Sequence, residues 1–247
     1  MPTFVASKLA GVGPRCSRMS MQYSLLPSAR KAPHYGALLV VLLILIVVAP
    51  LVPAERAGYS IEFFFDLVLV TGGYAAASQG AHRVPFLALT VVTLVVRWTE
   101  ILTDHVGYSF GAILITVVWI VYAIVLIVAA LHRLPRVSTN AVLGAIVAYL
   151  LSAVAFAFVF QLIELAHPGS FSGLPAGGSE REVGDALLYF SLVCLTTVGY
   201  GDIAPLSKLA RPIAVLEGAY GTLYLAVMIA RLVALHIVSG GQTDDSG

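Results

Sequence analysis

Residues 185–202 read DALLYFSLVCLTTVGYGD. The apolar part, Asp185–Leu195, has 11 residues. As a helix it reaches only ~16 Å, about half of the ~30 Å of hydrocarbon in a bilayer. It is too short to cross, yet apolar stretches long enough to cross lie on both sides, Ser138–Ala166 before it and Ser207–Val238 after it. A short helix between two full spans reads as a re-entrant segment that enters and leaves the bilayer on one face.

Four more apolar stretches precede these, at about Gly36–Ala54, Ile61–Gln79, Pro85–Thr103 and Ser109–Leu131. The composition agrees with this pattern. The 247 residues are 59% hydrophobic and 11% charged, where a soluble domain carries about 25% charged residues. A net charge of +1 offers no basic field for a nucleic acid. Two cysteines, Cys16 and Cys194, cannot build a disulfide framework. The expected fold is an all-α membrane protein with six transmembrane helices and a re-entrant helix. Eight of the 14 lysines and arginines precede the first span or lie between spans two and three and spans four and five. That asymmetry places both termini in the cytoplasm. The re-entrant segment then enters from outside, and a cleaved signal peptide over residues 1–54 is disfavoured by the long apolar run.

The loop after the short helix, Thr196-Thr197-Val198-Gly199-Tyr200-Gly201-Asp202, resembles the selectivity filter of potassium channels. A potassium ion that sheds its water needs equivalent oxygens, and TVGYG loops of four subunits supply them as backbone carbonyls. Turning those carbonyls to one axis requires backbone conformations that L-residues dislike, which Gly199 and Gly201 provide. The resemblance implies that the carbonyls of Thr197, Val198, Gly199 and Tyr200 coordinate K+, with the Thr197 hydroxyl as the innermost ligand and Gly201 closing the filter. It implies filter support from Thr196, from Asp202, and from Tyr189 in the position where the family has an aromatic donor, often Trp. Val193 stands where many bacterial members have Glu. Downstream, Gly221 falls at the family's hinge glycine, although close packing against a neighbouring helix also explains a glycine there. Thr222, Leu225, Ile229 and Val233 would line the cavity and inner mouth. The implied assembly is a homotetramer with a four-fold pore, in lipid, of the bacterial six-span type, in the inner (plasma) membrane.

Six spans invite comparison with voltage-gated channels, whose fourth span carries arginines at every third position. Ser109–Leu131 contains no lysine or arginine, so steep voltage gating is not expected. Asp66 and Arg97 fall at similar depth on antiparallel spans and read as an intramembrane charge pair. Glu217 and Arg231 lie in the last span, Arg231 near its inner end, suited to lipid headgroups or an interface. Residues 167–184, with five glycines and two prolines, read as an outer loop in which Glu180 and Glu182 add negative charge.

The expected organisation is a cytoplasmic tail over 1–35, a four-helix domain over 36–135, a pore domain over 136–238 and a short tail over 239–247. No ligand-sensing domain is visible, and no acid/base pair, nucleophile, phosphate cradle or cofactor motif marks an enzyme. The expected function is passive, selective potassium conduction. A potassium transporter subunit, a non-selective cation channel and a non-conducting membrane subunit are the alternatives.

Overall fold

The structure is a computed structural model that describes residues 35–48, 51, 66–72, 82–103, 106–132 and 138–240. Residues 1–34 of the expected tail, most of the second span and most of the tail over 239–247 lie outside those residues; Tyr35, expected in the tail, begins α1. The described helices are α1 (Tyr35–Val48), α2 (66–72), α3 (Arg83–Thr103), α4 (Val106–His132), α5 (Thr139–Ala166), α6 (Glu180–Leu195) and α7 (Ala210–Gly240). Two short strands, β1 (Phe171–Ser172) and β2 (Ala204–Pro205), pair antiparallel.

Three stretches are long and apolar enough to cross a membrane: Phe110–His132, Thr139–Ala166 and Ala210–Arg231. Tyr35–Val48 and Val84–Thr99 are shorter apolar helices. Of the six expected crossings, three therefore meet the length requirement among the described residues.

Helix α5 organises the rest. It starts at Ser138, whose Oγ accepts a hydrogen bond from Ala141 N at 3.2 Å, so one of the orphan first-turn donors is satisfied. Its buried positions include Ala141, Gly144, Ala145, Ala148, Ser152, Ala153 and Ala157. Small side chains let neighbouring backbones approach, which is how helices associate where lipid removes the hydrophobic drive. Tyr35 uses this space: its ring sits where a Cβ on Gly144 would fall, 2.9 Å away. Tyr35 N donates to Asn140 Oδ1 at 3.1 Å, so α1 and α5 start side by side. Leu38, Leu42 and Leu45 of α1 are buried, a stripe at helical spacing.

Helix α4 packs along α5 on one side and α3 on the other. Trp119 is fully buried there and donates from Nε1 to Thr90 Oγ1 at 2.8 Å, while Phe86 packs on its ring at 5.2 Å between centroids. A buried indole finds a polar partner in this way.

A second apolar cluster joins the extracellular elements of the expected topology. Phe160 of α5, Phe171 of β1 and Phe190 of α6 meet pairwise edge-to-face at 5.2–5.5 Å. This corrects two expectations. The re-entrant helix begins at Glu180, five residues earlier than Asp185, and residues 167–184 are not wholly loop. The reason is a capping box: the Ser179 side chain accepts from Glu182 N, and Glu182 Oε2 accepts from Ser179 N at 2.8 Å. Glu180 and Glu182 are thus first-turn acids facing the positive end of the helix dipole. At 16 residues α6 still spans only ~24 Å and does not cross.

Candidate ion-conduction site

Helix α6 aims its C-terminus at the TVGYG loop, and the loop satisfies that end. The last carbonyls of a helix lack intrahelical partners. Here Leu192 O accepts from Thr196 N at 3.0 Å and from Thr196 Oγ1 at 2.6 Å, and Cys194 O accepts from Thr197 N at 3.0 Å. Val193 O accepts from Val198 N at 3.0 Å and from Gly199 N at 3.4 Å. Leu195 O accepts from the Tyr149 hydroxyl of α5 at 3.0 Å.

With its N–H groups turned to the helix, the loop leaves its carbonyls free. Among the described residues, none of these hydrogen bonds ends on the carbonyls of Thr197, Val198, Gly199 or Tyr200. The backbone conformation explains how four successive oxygens can serve one side. Thr197, Gly199 and Gly201 have φ of 59°, 60° and 80°, and the intervening Val198 and Tyr200 do not share the positive φ. In a regular strand successive carbonyls point to opposite sides. Alternating left- and right-handed residues turn them to the same side. The two glycines take positive φ without a Cβ penalty. Thr197 is the departure from expectation: a β-branched residue in the left-handed region is a true outlier, and such strain clusters at functional sites.

The segment after the TVGYG loop is fastened to the segment before α6. Phe171 pairs with Pro205 and Ser172 with Ala204, and Leu206 N donates to Ser170 O at 2.7 Å. Gly173, at φ 81°, lies so close to the Asp202 carbonyl that a Cβ would overlap it. Asp202 also takes a hydrogen bond from the Tyr189 hydroxyl, which holds that phenol above its ordinary pKa. Tyr189→Phe removes the donor and is expected to shorten the conducting lifetime several-fold, read as faster decay of current in single-channel records.

Helix α7 follows β2. Ser207 Oγ accepts from Ala210 N at 3.0 Å, so Ser207 caps a helix that begins three residues later than expected and accommodates Pro212 in its first turn. The helix runs unbroken through Gly221. A Cβ on Gly221 would overlap the carbonyl of Leu195, the last residue of α6. Glycine is here a matter of close approach. Tyr220 and Tyr224 bind the same helix to α5: Tyr220 OH lies 2.8 Å from Ser152 Oγ, and Tyr224 OH donates to Ala145 O at 2.7 Å.

Thr222, Leu225, Ile229 and Val233 share one face of α7 and are exposed on the protomer, as are Val215, Leu216, Leu223 and Val227. Val198 and Tyr200 are exposed too, Tyr200 at 72%. Glu217 points the other way, is wholly buried, and meets Ser191 of α6. Arg231 takes the interface alternative: its guanidinium donates to Leu131 O, one of the last carbonyls of α4, where a cation suits the helix dipole. Away from the TVGYG loop, Arg97 Nε lies 3.5 Å from Asp66 Oδ1, and Trp98 Nε1 donates to Asp66 Oδ2 at 2.9 Å. Trp98, Tyr149 and the strain at Thr197 were not among the expected site residues; only the need of a buried carboxylate and of a helix end for donors points to the first two.

A family model described as "Ion channel" matches residues 144–236. The match covers α5 from Gly144, α6, the TVGYG loop and nearly all of α7, and it supports ion-channel function for a membrane protein. No curated protein and no solved structure matches the chain.

Proposed function

We propose that this chain is one subunit of a potassium-selective channel that conducts passively through a central four-fold pore in the plasma membrane. The observation that carries the reading is the alternating backbone at Thr197, Gly199 and Gly201, with the carbonyls of residues 197–200 left without donors among the described residues. Oxygens so arranged replace the hydration shell of a potassium ion. Neutral carbonyl dipoles lower the cost of dehydration without trapping the cation.

One strand cannot surround an ion, so the reading requires four copies around an axis. The exposed apolar side chains on α7 fit that requirement. Val215, Leu223 and Val227 are 71%, 64% and 60% exposed in the isolated protomer, which suits contact with a neighbouring copy or with lipid. Thr222, Leu225, Ile229 and Val233 would then line the cavity below the filter. The dipole of α6 places its negative end toward that cavity and favours a cation there. With no lysine or arginine from Ser109 to Leu131, conduction would not depend steeply on voltage. Asp66 and Arg97 act in this scheme as a structural clamp between α2 and α3.

The test is the reversal potential of the purified protein in a planar bilayer under opposed potassium and sodium gradients. A value near the potassium equilibrium potential, with block by barium, is the expected result. A value midway between the two ions would replace this reading with a non-selective cation channel. Four-fold stoichiometry is checked by the mass of the assembly in detergent.

A further inference from the structure

Glu217 has zero exposure in the protomer. Its Oε1 meets the Ser191 hydroxyl of α6. The same hydroxyl donates to Ala153 O of α5 at 2.7 Å. A serine hydroxyl carries one proton, and a backbone carbonyl has none to give. One proton cannot serve both acceptors; with the hydroxyl donating to Ala153, the proton between Ser191 and Glu217 comes from Glu217.

A second observation agrees. Glu217 Oε2 is buried with no hydrogen-bond partner among the described residues, and their ion pairs do not include Glu217. The titratable groups close enough to feel it, Tyr149 of α5 and Cys194 of α6, bring no positive charge, and Tyr220 on its own helix brings none. An ionised carboxylate with one bare oxygen in a dry interior is far more costly than a neutral acid.

We propose that Glu217 is a positioning residue held as the neutral carboxylic acid, donating to Ser191 Oγ, which in turn donates to Ala153 O. This directed chain fastens α7 to the pore helix and the pore helix to α5. Its middle member lies two residues before Val193, whose carbonyl receives the N–H groups of Val198 and Gly199. The chain thus sets the height of the helix end from which the filter hangs. The positioning role rests on the reading of residues 196–201 as a filter; the protonation state does not.

Two measurements test it on the full-length protein. In bilayers, Glu217→Gln keeps a neutral donor and is expected to hold the wild-type potassium-to-sodium permeability ratio. Glu217→Ala and Ser191→Ala are expected to lower that ratio by about tenfold, the size of one buried hydrogen bond left unmade. Infrared spectra at neutral pH should show a protonated-carboxyl stretch in the wild type that disappears in Glu217→Gln. A Glu217→Gln channel as impaired as Glu217→Ala would overturn the proposal, because charge would then be required. So would wild-type permeability ratios in all three variants, or no protonated-carboxyl band assignable to Glu217. A wild type without potassium selectivity would instead remove the filter reading, and the infrared band would still decide the protonation state. If the alanine variants fail to fold, Glu217→Gln and the spectra carry the test.

Discussion

Gly221→Ala is expected to lower the thermal stability of the protein and to abolish potassium current. The added methyl would overlap the Leu195 carbonyl oxygen. That oxygen cannot move freely, because the Tyr149 hydroxyl holds it at 3.0 Å and the TVGYG loop follows directly. Overpacking of this kind typically costs about 1–3 kcal/mol, and here the strain falls on the pore helix. Gly218→Ala is the control. Its Cβ would meet Cys194 O at 3.6 Å, an ordinary contact, and alanine favours a helix interior by about 1 kcal/mol over glycine. A Gly218→Ala protein should melt no lower than wild type. If Gly221→Ala melts like wild type but opens less often, the glycine serves as a hinge, and the close-packing account of that position fails.

Gly199→Ala and Tyr200→Asp are expected to remove potassium selectivity by a different route. A Cβ on Gly199 meets nothing within 4 Å in the protomer. The cost is conformational: at φ 60° an L-residue loses roughly 1–2 kcal/mol, and four copies would bear it on one axis. The alternation would relax, and with it the common direction of the carbonyls. Tyr200→Asp instead adds a charge beside the ion path and removes a large exposed ring. Bi-ionic reversal potentials decide both. Selectivity unchanged in both variants would sink the assignment of residues 197–201 as a filter, whereas loss in Gly199→Ala alone would localise the requirement to backbone conformation.

The class of fold was legible because membrane helices are written in length and apolarity. Asp185–Leu195 was too short to cross wherever its neighbours lay, and Ser138 and Ala166 bounded α5 to within one residue. The TVGYG loop was legible because the glycines of an alternating backbone must appear as glycines. The start of α6 was misplaced for a physical reason. Its first turn is polar, and its boundary is written in the Ser179–Glu182 capping box and not in hydrophobicity. Asp66 and Arg97 could be placed at one depth by counting residues along antiparallel helices, but Trp98 as the second donor to that carboxylate depends on which way each helix is turned.

From the sequence alone come the membrane class, a helix too short to cross and the residue types of the candidate filter, because each depends on properties local to a short stretch. Tertiary structure alone decided that Gly221 abuts Leu195, that Arg231 caps α4, that Thr197 bears a left-handed backbone, and that Glu217 meets Ser191. Those facts depend on distances between segments far apart in the chain. They follow from how α5 and α7 pack around α6, and periodicity within a single helix does not encode that packing.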